Sequence, residues 1–407
     1  MKGALVELKA KGSEDINLIG NPSISFFKSV HKKHTNFCRF EKKNIFYGQP
    51  NFGSKYTCKV ERYGDLLTKM WLQIILPPTG DNFISWIKCV GNYMIKEVIL
   101  KFGGEEICKM SGEYIDIFHK YYLNTGHYNT YSSGVRNLQG HNNTTLTEEQ
   151  ILLIPLPFWF SKHISQALPL ITLNYTNIEV DVVFRPINDL LYTNKNKTVL
   201  PTLINLNNLK IQECFLFCEY IYLDSQERLM FLHKKEINYL IEQIQETTYK
   251  VFDNEKQNQL PIKFNLPTKE LIWIYRSDNN ININKWNLFN YIGNNNKVIE
   301  PFKYISLTFN GNERIEKTIA QYFRINIPIS SHNSSNADLI YSYNFALNCD
   351  NIQPSGSVNF SKINDTKLHI EYSNNINNGI SSGEVILFGV NYNFLKIKKG
   401  MAGIVYN

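Results

Sequence analysis

His31 and His34 stand three residues apart around Lys32 and Lys33, a type and spacing that could begin a metal site. A metal needs three or four ligands converging on one point. No carboxylate at a matching spacing joins this pair. The residues around it set no strand register that would turn both rings into one cavity. Cys214 and Cys218 offer thiol chemistry four residues apart. They lie in an apolar, strand-like run and so face one side of a strand. Without a second ligand pair they read as buried free thiols. His119, His163, His233 and His369 are isolated and read as structural or exposed. Asp65 reads as a turn residue after Gly64, and Asp224 sits where a helix cap belongs. No nucleophile elbow and no Gly-rich phosphate loop is read from the chain, and no carboxylate pair stands out for glycoside hydrolysis. The expectation is no catalytic residue, no cofactor and no metal.

The elements that would position any such residue are strands. The chain has 407 residues, enough for two domains with cores of their own. It is 43% hydrophobic and 19% charged, which excludes a disordered chain. Its 24 Tyr and 25 Phe favour strands. Met70, Leu72, Ile74 and Leu76 alternate with other residues through Lys69–Leu76, as do Ile178, Val180, Val182 and Phe184 through Asn177–Phe184. Leu368, Ile370 and Tyr372 repeat the pattern. Helix signals are short. Glu113–Tyr122 carries aromatic and aliphatic residues at helical spacing, and Asp224-Ser225-Gln226-Glu227 resembles a capping box ahead of Arg228–Lys235.

The two halves end alike. Leu156–Phe160, Leu168–Tyr175, Ile178–Phe184 and a strand ending at Asp224 match Tyr341–Leu347, Val358–Phe360, Lys367–Tyr372 and Val385–Ile397. Matched order without matched residues implies a structural duplication. The expected fold is all-β: two consecutive antiparallel eight-stranded jelly-roll sandwiches with a few short helices. The expected divisions are an N-terminal arm at 1–20, a first roll at 21–224, a helical linker at 225–236 and a second roll at 237–407.

Charge and cysteine usage narrow the function. The net charge of +7 is mild, and no specific nucleic-acid binding is expected. The densest basic stretch, Lys28–Lys43, reads as a solvated face, or as a contact for an acidic partner, a membrane surface or nucleic acid. Seven cysteines, an odd number without framework spacing, suit a reducing compartment. Glu7 and Lys9 interrupt any leader-like apolar core, and the run Ile151–Phe160 is too short to span a bilayer.

The most telling segment is 341–365. Tyr341, Tyr343, Phe345 and Leu347 alternate with polar or small residues, and Gln353-Pro354-Ser355-Gly356 follows with type I turn chemistry. The spacing predicts a β-hairpin whose second strand begins near Ser357. Phe345-Ala-Leu-Asn348, Gln353–Gly356 and Asn359-Phe360-Ser361 together resemble a signature of the major capsid proteins of nucleocytoplasmic large DNA viruses. The resemblance extends along the chain. It includes Gly20–Phe37, Arg62-Tyr-Gly-Asp-Leu-Leu67, Pro155-Leu-Pro-Phe-Trp-Phe160, Tyr220–Arg228 and Gly400-Met-Ala-Gly403. Lys32-Lys33 departs from it, since arginines are more usual there.

This resemblance implies a double jelly-roll protomer that forms homotrimeric, pseudo-hexagonal capsomers tiling an icosahedral virion, assembled in the host cytoplasm. It implies structural signature positions at Asn21, Pro22, Phe26, Phe27, His34, Asn36 and Phe37, and at Gln353, Pro354, Ser355, Gly356, Asn359 and Phe360. Lys32 and Lys33 would face an interior partner. The implied partners are copies of itself, neighbouring capsomers, minor capsid and penton proteins, and an internal membrane. Two other readings compete. A glycan-binding, penton- or fibre-like jelly roll would need an exposed aromatic platform, for which the Trp286 region is the candidate. A metal-dependent jelly-roll enzyme would need a His-x-His array that the chain lacks.

Overall fold

The computed structural model describes residues 2–80, 84–135, 148–193, 209–278, 299–334, 338–373 and 382–406. The chain divides into two compact units, Met1–Asn36 and Phe37–Asn407. The first contains the helices Lys2–Lys9 and Ile16–Ile19, neither with a buried residue. The stretch 21–36, which the sequence reading joined to the first roll, belongs to this unit.

The second unit is built of strands. Its first half contains β1 (Phe37–Ile45), β2 (Lys55–Lys59), β3 (Leu66–Leu76), β4 (Ile84–Trp86), β5 (Ile95–Phe102), β6 (Glu105–Ser111), β7 (Gln150–Pro155), β8 (Leu168–Pro169), β9 (Ile178–Phe184), β10 (Leu191–Thr193) and β11 (Glu213–Leu223). Its second half contains β12 (Glu236–Val251), β13 (Gln257–Pro261), β14 (Pro267–Ser277), β15 (Phe302–Phe309), β16 (Asn312–Ile319), β17 (Ile340–Asn344), β18 (Val358–Asn359), β19 (Thr366–Tyr372), β20 (Gly383–Lys398) and β21 (Met401–Ile404). The helix Ser225–His233 joins the halves, with Asp224 as its N-cap.

Strand order is the same in both halves. One sheet runs β1-β11-β3-β7 with β8 also on β3; its counterpart runs β12-β20-β14-β17 with β18 also on β14. The facing sheets run β2-β9-β5-β6 and β13-β19-β15-β16. Every pairing is antiparallel. Two paths of four strands in each half make two jelly-roll sandwiches; the short β4–β10 pair is an addition to the first, and β21, paired with β20, is an addition to the second.

The alternation seen in the sequence builds the cores. Met70, Leu72, Ile74 and Leu76 of β3 point inward with Ile178, Val180, Val182 and Phe184 of β9. The sheet containing β14 and β20 is buried on both faces. Leu271, Trp273 and Tyr275 pack into the second roll, while Ile272 and Ile274 pack into the cluster that fills the first. Val385 and Leu387 likewise oppose Ile386 and Phe388. This explains why Leu271–Tyr275 and Val385–Phe388 are unbroken apolar runs instead of alternating ones.

Three local expectations need correction. Leu156–Phe160 is not a strand: β7 ends at Pro155, and Pro155 and Pro157 break the ladder before the helix Trp159–Lys162. Of Leu168–Tyr175, only Leu168–Pro169 is strand. Tyr341–Leu347 and the residues after Ser357 do not form a hairpin. β17 pairs with Glu270–Ile274 and β18 with Pro267–Thr268, so both lie along one edge of β14 in the same direction. They are one edge strand interrupted by a loop. β7 and β8 share the edge of β3 in the same way.

Candidate functional site

The expected signature residues fall in both units. Asn21, Pro22, Phe26, Phe27, Lys32, Lys33, His34 and Asn36 are exposed in the first, with Phe26 91% and Phe27 101% exposed. His31 and His34 are exposed there as well. Phe37 opens β1 opposite Leu223 and is half exposed.

The second group closes the loop that interrupts the edge strand. Leu347 N donates to Ser355 O at 3.3 Å, and Ser355 Oγ bridges the Asn348 backbone, accepting from its N at 3.0 Å and donating to its O at 2.9 Å. Gly356 has φ of +142°, and a Cβ there would lie 2.6 Å from Phe345 O. The glycine is therefore required by close backbone approach, not by a type I turn. Leu347 is 83% exposed, because the strand stops at Asn344. Asn359 Oδ1 accepts from Ser361 N at 3.0 Å, and Phe360 is buried in the core. Gln353 and Pro354 are exposed.

Beneath this loop lies a buried charged cluster that sequence reasoning missed. The β14–β20 register shifts between Thr268 and Glu270, leaving Lys269 as a bulged residue. A bulge re-aims side chains, so consecutive Lys269 and Glu270 both reach the Tyr122 hydroxyl. Lys269 Nζ donates to it at 2.9 Å, and it donates to Glu270 Oε1 at 3.1 Å. Lys269 also donates to Glu242 at 2.8 Å and to Cys349 O at 2.9 Å. Lys162 of the first roll contacts the other oxygen of Glu242. His332 lies between two carboxylates: Nε2 is 3.1 Å from Glu270 Oε2 and Nδ1 is 2.8 Å from Asp350 Oδ1. Its ring stacks on Tyr121 at 4.7 Å.

The electrostatics follow from burial and pairing. Burial alone would lower the His332 imidazole, but Glu270 and Asp350 outweigh it and raise it to about 9. Burial would raise Glu270, but His332 and then Lys269 hold it down to about 2. Burial works against the charge on Lys269 as well, yet Glu242 and Glu270 raise its pKa. The one sequence signal was a Lys-Glu pair inside an otherwise apolar strand. Nothing local pointed to His332, whose partners lie far away in the chain.

The helix Gly112–Tyr122 joins the two rolls at further points. Arg185, at the end of β9, forks onto both Glu113 oxygens at 2.6 and 2.8 Å, and Arg276 of β14 reaches Glu113 at 2.8 Å. Burial would raise Glu113, but the two arginines bring it below the usual range. Lys120 bridges Asp116 at 3.2 Å and Asp338 at 2.7 Å. His119 is buried against Tyr131, and burial lowers it to about 4. The C-terminal hairpin adds a backbone contact: Tyr175 N donates to Gly400 O at 3.0 Å. Asp65 is more than a turn residue. It accepts from Leu223 N at 3.0 Å and pairs with Arg228 of the linker helix at 3.3 Å.

Glu270, His332 and Cys349 bring ligand atoms within 4.8 Å of one another. Chemistry argues against a metal centre there. The cluster is already charge-matched, with the Lys269 ammonium inside it and burial holding the Cys349 thiol well above its usual range. Cys214 and Cys218 are buried free thiols, as expected. The string Gly379-Ile380-Ser381-Ser382-Gly383 has the spacing of a nucleophile elbow, which the sequence reading overlooked. An elbow leads from strand to helix, whereas Gly383 opens β20, and residues 374–381 lie outside the described residues. Trp286 also lies outside them. Among the described residues, the cluster reads as a lock between two sandwiches and not as a reaction centre.

Comparison with known proteins gives this architecture a family context. Residues 25–224 match the family model of the major capsid protein N-terminus, and residues 227–403 match that of the large eukaryotic DNA virus major capsid protein. The major capsid protein of Pyramimonas orientalis virus is 30% identical over 100% of both chains. That of Phaeocystis pouchetii virus is 27% identical, again over 100% of both. In fold, the chain is similar to the PBCV-1 virus capsid, with a TM-score of 0.81 at 22% identity, covering 94% of this chain and 100% of that one. The Faustovirus major capsid protein gives 0.77 at 14% identity, covering 97% and 96%.

Proposed function

The chain belongs to the family of major capsid proteins of large eukaryotic DNA viruses, and on that footing we propose that three copies associate into a pseudo-hexagonal capsomer that tiles an icosahedral shell. Its role is structural: multiple copies build the capsid of a virion. The observation that carries the trimer is the repeated strand order within one chain. Two similar sandwiches per protomer give a trimer six similar bodies, so a three-fold assembly fills a hexagonal lattice site. Obligate interfaces of this kind bury on the order of 2,000–5,000 Å².

In this reading the chain divides at the helix Ser225–His233, and assembly takes place in the host cytoplasm. Residues 21–37, with Lys32 and Lys33, face the particle interior, where minor capsid proteins or an internal membrane lie. Neighbouring capsomers and penton proteins meet the outer sides. Nothing in the buried lock calls for an enzymatic role. Light scattering on the purified full chain tests the trimer. A species of about 142 kDa, three times the 47.4 kDa chain, is expected. A concentration-independent monomer would exclude it.

A further inference from the structure

At the end of the body where the linker helix meets the C-terminal hairpin, two chain segments place lysines around one cavity of about 360 Å³. Lys234 and Lys235 follow the helix Ser225–His233, Lys398 ends β20, and Lys399 lies in the turn to β21. All four are exposed. Ile171, Leu232, Ile237 and Ile397 give the cavity an apolar lining. The nearby carboxylate, Glu236, is committed to Lys396 at 2.9 Å and lies 3.8 Å from Lys398. No carboxylate among the described residues lies within ion-pair distance of Lys234, Lys235 or Lys399. Clustered cations this poorly matched repel one another and favour an anion between them.

The linker helix adds a second observation. Leu232, which lines the cavity, is 48% exposed, and Leu229 and Met230 of the same helix are 51% and 65% exposed. A surface with ammonium groups beside exposed aliphatic side chains suits an anionic amphiphile better than a purely hydrated ion. The apolar lining lets the lysine stems lie along it with their heads in water.

We propose that this cavity binds a phosphoryl group, and that its source is the headgroup of an anionic lipid, with Leu229 and Met230 resting at the membrane interface. The cavity lies within one chain, so the proposal stands or falls independently of the trimer.

Vesicle co-sedimentation of the full chain tests it. Phosphatidylcholine vesicles with about 30 mol % phosphatidylglycerol are compared with pure phosphatidylcholine. Lys234→Glu with Lys399→Glu is compared with a control of equal charge change on other strands, Lys250→Glu with Lys303→Glu. The acidic vesicles should bind the wild type and the control alike, and the cavity variant roughly tenfold or more weakly. Equal losses in both variants would reduce the effect to net charge and overturn the site. So would a failure of acidic vesicles to bind better than neutral ones. If inorganic pyrophosphate raises the melting temperature of the wild type but not of the cavity variant, and vesicles do not bind, the occupant is a free phosphate and the lipid source is overturned. The substitutions lie on exposed side chains, and unchanged melting in buffer alone verifies that each variant folds.

Discussion

His332 shows how single residues hold this protein together. It is a buried imidazolium between Glu270 and Asp350, and removing it leaves two buried carboxylates without the cation that pairs them. His332→Gln should cost about 3–5 kcal/mol of unfolding free energy in urea titrations. Loss below about 1 kcal/mol would mean that the ion pairs contribute little. The same pair sets a pH dependence. The imidazole rises from 6.5 to about 9 on folding, so its contribution is complete below 6.5 and is lost as pH climbs through 9. Glu270 falls from 4.5 to about 2, so its contribution is complete above 4.5 and is lost as pH falls through 2. These are two views of one interaction, worth on the order of 3 kcal/mol and counted once. Stability of the wild type should therefore decline between pH 6.5 and 9 more steeply than that of His332→Gln. Parallel profiles would contradict the pairing.

Among the elements, the interrupted edge strand is where sequence and structure part most clearly. Alternation over Tyr341–Leu347, which the strand follows only to Asn344, and the Gln353–Gly356 motif were both legible, and both were read as a hairpin. Local chemistry cannot tell a turn between two paired strands from a loop that leaves and rejoins one edge. That distinction lies in β14, more than sixty residues earlier in the chain. The strands with one buried face, β3, β9 and β19, could be read from period two alone. The sheet buried on both faces could be read only as apolar, and the lock was signalled only by the Lys269-Glu270 pair within it, since a bulge and contacts distant in sequence create it. Gly356 provides the test at this scale. Gly356→Ala combines φ of +142° with a Cβ 2.6 Å from Phe345 O, and should destabilise by about 1–3 kcal/mol. Gly311→Ala, at φ of +80° with nothing within 4 Å, carries the backbone strain without the clash and should cost less, about 1 kcal/mol. Equal effects in denaturant titrations would remove the close approach as the reason for the glycine.

For the whole molecule, duplication and locking belong together. Two sandwiches with one strand order can occupy equivalent lattice positions only if they keep a fixed relation, and the helix Gly112–Tyr122 with its Glu113, Lys120 and Tyr122 contacts supplies it. The arm serves a different purpose in this account. Charge reversal at Lys32 and Lys33 should leave the trimer intact by light scattering while lowering particle yield in infected cells; normal yield would contradict an interior contact at those lysines. The central claim is that one chain supplies two equivalent bodies to a three-fold capsomer. Cryo-electron microscopy of the purified full chain addresses it most directly. Class averages should show a hexagonal outline, and the reconstruction should place six sandwiches around a three-fold axis, with first and second rolls alternating. A ring in which equivalent rolls touch only their own kind, or a particle with two-fold symmetry, would contradict it.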